Sequence, residues 1–87
     1  MSDLRSVVEV VARTLADEPD EVVVVQSSHR GTTLLELHMA EGDLGRVIGR
    51  QGRTAAALRT LVGLVAERAG TRVQLEFRDG PPGNTAD

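Results

Sequence analysis

Residues 44–61 read LGRVIGRQGRTAAALRTL, and they carry the clearest structural and chemical signals in the chain. Gly49 and Gly52 flank a two-residue tip, where glycine permits a sharp turn and leaves no Cβ to hold another backbone away. From Arg53 to Ala69 the apolar spacing predicts an amphipathic helix. The tip therefore leads into a helix N-terminus, whose unpaired N–H groups and partial positive charge favour a phosphate.

Positive charge is concentrated around this tip. Between residues 43 and 59 the chain has four arginines (Arg46, Arg50, Arg53 and Arg59) and one carboxylate (Asp43), which gives a local charge of +3. The whole chain has a formal net charge of −3, so the remainder is more acidic still. A polyanion would therefore be steered to this segment rather than attracted everywhere.

The glycine spacing excludes two common nucleotide-binding loops. A Walker A loop needs a glycine five residues before the one that precedes its lysine, but that position is Val47, and Arg53 replaces the lysine. A dinucleotide fingerprint needs a glycine two residues before Gly49, and that position is again Val47. The tip is therefore neither type of loop.

The string from Val47 to Thr54, with Gly45-Arg46 before it and residues 57–62 after it, resembles the signature of KH-domain RNA-binding proteins. More narrowly, it resembles the KhpA family of small bacterial proteins with a single KH domain, over roughly residues 4–77. In KH domains this loop clamps the backbone of about four unpaired nucleotides. The resemblance implies the following RNA-binding residues: Arg46, Gly49, Arg50, Gln51, Gly52, Arg53 and Arg59.

KH domains hold the nucleic acid in a groove between this loop, its flanking helices and an edge strand. The resemblance leads us to expect residues 35–39 on the strand side of that groove. The chain contains one aromatic residue, Phe77, which we expect in the core. Without aromatic stacking platforms, we expect modest affinity for single-stranded RNA and little sequence preference.

The periodicity of the rest of the chain predicts an α+β fold with one three-stranded sheet and helices packed on one face. The predicted elements are a helix over 4–15, strands over 22–25, 32–40 and 72–77, a short helix over 44–48 and a long helix over 53–69. The resemblance adds the αββααβ topology of type II KH domains.

Three expectations concern single side chains or faces. We expect Asp43 to cap the short helix, and His29 and His38 to be ordinary surface residues. The predicted apolar stripe of the long helix comprises Ala55, Leu58, Leu61, Val62, Val65 and Ala69.

The length of 87 residues suits one domain. We predict a KH domain over residues 1–78 and a disordered tail over 79–87, which contains Gly-Pro-Pro-Gly-Asn. No segment approaches the ~18–20 consecutive apolar residues of a membrane span. The N-terminus lacks the basic charge of a signal peptide, and cysteine is absent, so we expect a cytoplasmic protein.

The sequence offers little for catalysis. It lacks paired carboxylates, a nucleophile with a base, and a metal-ligating cluster at usable spacing. We therefore expect neither an enzyme nor a site for a metal, a cofactor or a small-molecule substrate.

An alternative is a protein–protein interaction module. The acidic net charge, and Ala56 where close relatives often carry a lysine, favour a protein that binds RNA together with a partner. Small residues along the long helix (Ala56, Thr60 and Gly63) could pack against that partner, with RNA bound mainly by it. The resemblance implies a second copy or a larger KhpB-type protein as partner, in an RNA chaperone linked to cell-wall homeostasis and cell elongation.

Overall fold

The computed structural model describes residues 4–83. Its elements, in order, are α1 (Leu4–Leu15), β1 (Val23–His29), β2 (Thr32–Met39), α2 (Leu44–Ile48), α3 (Arg53–Arg68) and β3 (Arg72–Asp79). Short 3-10 turns lie at Pro19–Glu21 and Arg50–Gly52. This order confirms the predicted α+β fold with the arrangement αββααβ.

The three strands form one sheet in the order β1-β2-β3, so β2 is the central strand. β1 pairs with β2 in antiparallel fashion, and β3 pairs with β2 in parallel. The hairpin turn consists of Arg30 and Gly31, which both have positive φ, at 53° and 82°. Two-residue turns of this kind match the twist of the flanking strands.

β1 is longer than predicted, because it continues past Val25 to His29. Gln26, Ser27 and Ser28 lack the β-branched or aromatic side chains that are enriched in strands, but each pairs with a residue of β2. The tight turn brings the two strands into register up to the pair His29 and Thr32. Cross-strand pairing has therefore overridden local preference.

The core lies between the sheet and the three helices. Alternation along β2 buries Leu35, Leu37 and Met39 on the face towards the helices. The other buried residues of this hydrophobic core are Val8 and Ala12 of α1, Val22 just before β1, Val24 of β1, Val47 of α2, Leu58 and Val62 of α3, and Leu75 of β3. Helices therefore cover one face of the sheet, as predicted.

The buried stripe of α3 differs from the predicted one. The residues that are buried are Ala55, Leu58, Val62 and Ala66. Leu61 is 44% exposed and Ala69 is also exposed, so their predicted burial is wrong. Leu61 remains in solvent because it lies one position away from the narrow side that the sheet covers. Ala69 is exposed because α3 ends at Arg68, one residue before it.

Asp43 does not cap α2 as expected, because the side chain forms no capping hydrogen bond there. Its carboxylate Oδ2 instead accepts a hydrogen bond of 2.9 Å from the backbone N–H of Glu18. The residue is 5% exposed, and Oδ1 lies 3.7 Å from Nε of Arg46. Asp43 thus joins the connection between α1 and β1 to the start of α2.

The third strand ends two residues later than predicted, at Asp79 and not at Phe77. β3 continues to Asp79, and the N–H of Gly80 donates to the carbonyl of Met39 at 2.8 Å. Residues 84–87 of the predicted tail lie outside the described residues.

We predict that Leu37→Ala lowers the free energy of unfolding by about 2–5 kcal/mol, because it leaves a cavity beneath the sheet. The matched control is Leu64→Ala, since Leu64 is 56% exposed and its truncation should cost less than about 1 kcal/mol. Urea denaturation followed by circular dichroism measures both values. Equal losses would contradict the observed core.

Candidate nucleic-acid interface

The loop between α2 and α3 takes its shape from two glycines that act for different reasons. Gly49 has φ 77° and ψ 175°, a region almost closed to residues with a Cβ. A Cβ at this position would lie 2.5 Å from Oγ1 and 2.9 Å from Cβ of Thr54. Gly52 has φ 72° and ψ 15°, and a Cβ there would meet no described atom within 4 Å. At position 49 a side chain is therefore excluded both by the lack of space and by the backbone conformation. At position 52 only the backbone conformation disfavours a side chain.

The tip closes on itself before α3 begins. The N–H of Gly52 donates to the carbonyl of Gly49 at 3.1 Å, and Gln51 is left-handed, with φ 58° and ψ 23°. Within the described residues, no side chain caps the N-terminus of α3. The first turn of a 16-residue helix thus faces the tip with its positive dipole end and without a side-chain acceptor.

Two predicted arginines lie at this tip. Arg53 donates from Nη2 to Oε1 of Gln51 at 2.9 Å, which holds the glutamine side chain beside the helix start. Arg50 is exposed, and nothing between residues 4 and 83 forms an ion pair with it. The structure therefore brings together five of the predicted residues: Gly49, Arg50, Gln51, Gly52 and Arg53.

Arg46 has a different environment from the arginines at the tip. Its Nη2 lies 2.7 Å from Oδ2 of Asp17, and its Nε lies 3.7 Å from Oδ1 of Asp43. Two carboxylates thus compete with any phosphate for this guanidinium. Arg46 joins α2 to the end of α1, and less of its charge is available to a ligand.

Arg59 lies away from the tip, six residues after Arg53 and therefore about 9 Å further along α3. Its Nε donates to the backbone carbonyl of Leu75 at 3.4 Å. Its guanidinium carbon lies 4.8 Å from the centroid of the Phe77 ring. The side chain thus reaches from α3 to β3.

A groove of ≈ 330 Å³ runs between α3 and β3 beneath this side chain. Arg59 and Val62 line it from the helix, and residues 73–76 line it from the strand. A second opening, of ≈ 590 Å³, lies further along the same two elements towards Gly70 and Arg72. Both openings lie between α3 and β3, and Val73 lines both of them.

The expectation that residues 35–39 form the strand side of the groove is wrong. These residues belong to β2, which has a neighbouring strand on each side, and Leu35, Leu37, His38 and Met39 are buried. The edge strand beside α3 is β3. A strand that follows a long crossover often pairs in parallel with the strand before it, and this rule could have pointed to residues 72–79.

The open edge of β3 presents backbone groups to the groove. In a parallel strand, the N–H and C=O of one residue point to the same side, and successive residues alternate. Gly80 donates to Met39, so even-numbered residues of β3 face β2 and odd-numbered residues face outwards. The contact between Arg59 and the Leu75 carbonyl agrees with this alternation. Val73 and Leu75 are therefore candidate site residues that the sequence did not indicate.

His38 is not the surface residue that was expected. It is 7% exposed, with Nδ1 3.3 Å from the carbonyl of Gly80 and Nε2 3.4 Å from Oε1 of Glu36. Residues 4–83 contain no group of three or more His, Cys, Asp or Glu side chains that could hold a metal ion. In the same part of the chain, every helix is too short or too polar to cross a membrane.

A comparison of the sequence with known protein families gives a match that includes the loop and the residues that line the groove. The family model described as "KhpA/KhpB, KH domain" matches residues 5–77. The chain belongs to this family. The KhpA/KhpB family match therefore includes the loop, both flanking helices, β1, β2 and most of β3. With the observed element order it establishes the type II KH fold.

Several relatives bear the name "RNA-binding protein KhpA". One from Borreliella burgdorferi is 42% identical over 72 residues, which are 83% of this chain and 88% of the relative. One from Aquifex aeolicus is 42% identical over 77 residues, or 88% of this chain and 98% of the relative. One from Streptomyces coelicolor is 44% identical over 72 residues, or 83% and 90% respectively.

A solved structure shares the fold. A crystal structure of Aquifex aeolicus Era bound to GDP.AlF4− superposes with a TM-score of 0.55 and 16% identity. The match covers 91% of this chain, which spans only 31% of that chain. At this identity the likeness concerns the fold alone.

We predict that Gly49→Ala destabilises the domain more than Gly52→Ala. The first substitution combines a forbidden backbone region with a clash against Thr54 and should cost about 2–4 kcal/mol, whereas the second meets only the left-handed penalty of about 1 kcal/mol. Urea denaturation of both variants measures the difference. An equal or larger loss for Gly52→Ala would show that the loop has another conformation.

Proposed function

We propose that this protein binds single-stranded RNA, grips its backbone at residues 49–52, and acts as an RNA chaperone. The observation that carries the proposal is the uncapped N-terminus of α3 directly behind a tip with two glycines and two arginines. The RNA-binding names of the KhpA relatives support RNA as the polyanion.

The backbone grip follows from the geometry of the tip. The open space at Gly52 lets a phosphate approach the start of α3 closely. Arg50 and Arg53 flank this position and can form charge-assisted hydrogen bonds with phosphate oxygens. Arg46 contributes less, because Asp17 and Asp43 already hold it.

The bases would follow the groove between α3 and β3. Val73 is half-buried and would supply apolar contact there, and the outward N–H and C=O groups of β3 would supply hydrogen bonds. Phe77 lies against Arg59 and so does not serve as an open stacking platform. The overall affinity should therefore be modest and dominated by the backbone.

The proposal includes a KhpB-type partner in the cytoplasm. The matching family model covers KH domains of both KhpA and KhpB. The net charge of −3 is low for a protein that binds RNA alone. The resemblance to KhpA links such a pair to cell-wall homeostasis and cell elongation.

We predict that Gly52→Asp weakens the binding of a fluorescent single-stranded RNA by at least about tenfold, equivalent to ~1.4 kcal/mol. Its carboxylate would stand where a phosphate is expected, and like charges repel. The matched control is Gly52→Asn, which has the same shape and also tolerates left-handed φ. Fluorescence anisotropy measures both affinities, with circular dichroism to check the fold.

The salt dependence provides a second measure of the same site. For wild type, the slope of log affinity against log salt should be about −2 to −3, which corresponds to three or four phosphates. If the aspartate and asparagine variants bind equally well, the loop does not hold a phosphate and the proposal fails.

A second candidate function is a protein–protein interaction through α3. Leu61 and Leu64 are exposed large apolar residues on this helix, although Leu61 was expected in the core. Ala56, Thr60 and Gly63 are exposed beside them, as the small-residue hypothesis requires. This surface would let α3 pack against a second copy or a KhpB-type protein.

We predict that Leu61→Glu combined with Leu64→Glu converts a wild-type dimer into a monomer at tens of micromolar protein, because paired carboxylates cannot be buried in an apolar contact. Val10→Glu is the control, since Val10 is exposed on α1. Sedimentation velocity measures the mass. A wild-type monomer over the whole concentration range would exclude self-association, and an unchanged dimer in the double variant would place it elsewhere.

A further inference from the structure

We propose that Arg59 sets a base preference in the groove, and that it favours guanine over adenine at the position beside Leu75. This inference rests on the proposed RNA-binding function. It concerns which hydrogen-bonding groups the groove offers, and not whether the backbone is held at the tip.

Without Arg59, the strand edge would offer a donor and an acceptor together. The N–H and C=O of Leu75 both point out of the sheet into the groove. That pair is complementary to adenine, which presents an acceptor at N7 and a donor at N6. An open edge at Leu75 would therefore suit adenine and reject guanine, which has an acceptor at the equivalent O6.

Arg59 changes this pattern because it engages the acceptor and adds donors. Its Nε donates to the Leu75 carbonyl at 3.4 Å, which uses one of the two lone pairs of that oxygen. The two terminal nitrogens of the guanidinium remain, and among residues 4–83 no acceptor contacts them. Beside Leu75 the free groups are then mainly donors: the N–H of Leu75 and the terminal nitrogens of Arg59. Glu76 also lines the groove, but its carboxylate oxygens are already engaged by Arg78 and Gln74.

Two features hold the guanidinium in this position. Its carbon lies 4.8 Å from the centroid of the Phe77 ring, within the range of a cation–π contact. The neighbouring carboxylate of Glu76 is engaged elsewhere, at 2.6 Å from Nη2 of Arg78 and 3.3 Å from Nε2 of Gln74. The carboxylate nearest along the strand therefore does not draw Arg59 away from the groove.

A donor-rich site is complementary to a base edge with two acceptors. Guanine presents N7 and O6 on one edge, and a guanidinium can contact both with its planar fork. Adenine would place its N6 amino group against donors and lose one hydrogen bond. The expectation of little sequence preference is thus replaced by a preference at one position.

The test uses three RNA heptamers that are uridine except for a central adenosine, guanosine or inosine. Inosine has O6 and N7 like guanine but lacks the N2 amino group, so it isolates the effect of position 6. For wild type, we expect guanosine and inosine oligomers to bind about tenfold more tightly than the adenosine oligomer. Fluorescence anisotropy at one fixed salt concentration measures all three affinities.

Two substitutions of Arg59 separate its fork from its charge. Arg59→Ala exposes the Leu75 carbonyl, so the tenfold preference should disappear or reverse in favour of adenosine. Arg59→Lys keeps the positive charge without the planar fork, so general affinity should persist while the preference falls to less than about threefold. Because Arg59 is exposed, both variants should remain folded, and circular dichroism verifies this.

Arg53→Ala is the matched control, because Arg53 lies at the tip and outside the groove. It should weaken all three oligomers by the same factor and leave their ratio unchanged.

The outcomes separate this inference from the proposed function. If wild type binds the oligomers but does not distinguish adenosine from inosine, or if Arg59→Ala weakens all three equally, Arg59 is only a backbone contact and the inference is wrong. If wild type binds none of the three, the RNA-binding proposal itself fails, and the inference fails with it.

Discussion

β2 forms hydrogen-bonded pairs with a strand on each side, and the arrangement of the whole domain depends on this central position. Its inner face buries Leu35, Leu37 and Met39 beneath the helices. The parallel pairing with β3 requires a long crossover, which α2, the glycine loop and α3 supply. The crossover leaves β3 as the open edge beside α3, and the groove forms between these two elements.

The arginines of residues 43–59 are close in sequence but lie in different environments and have different partners. Arg46 bridges two carboxylates and joins α2 to α1. Arg50 and Arg53 stand at the tip, where the helix dipole reinforces their charge. Arg59 crosses the groove and bonds to a strand carbonyl. The local charge of +3 is therefore larger than the positive charge that is available at a single phosphate site.

Much of the fold was predictable from local patterns. The helices over 4–15 and 44–48 begin and end where their apolar spacing and flanking residues indicated. The sharp turn of the loop was also predictable from its two glycines. At Gly49 the backbone conformation and the nearby Thr54 leave no place for a side chain. Burial on α3 was less predictable, since an apolar spacing shows that a stripe exists but not how wide a neighbouring sheet will be.

The sequence by itself determined the order of the elements, the glycine loop and the concentration of arginine at the start of a helix, because periodicity, backbone dihedral limits and charge are local properties. Only the tertiary structure decided which strand borders the groove, which arginines already have partners, and that His38 is buried. These features depend on contacts between residues far apart in the chain, such as Arg59 with Leu75 and Asp43 with Glu18. No local pattern encodes such contacts, since each requires the sheet order and the packing of helices to be in place first.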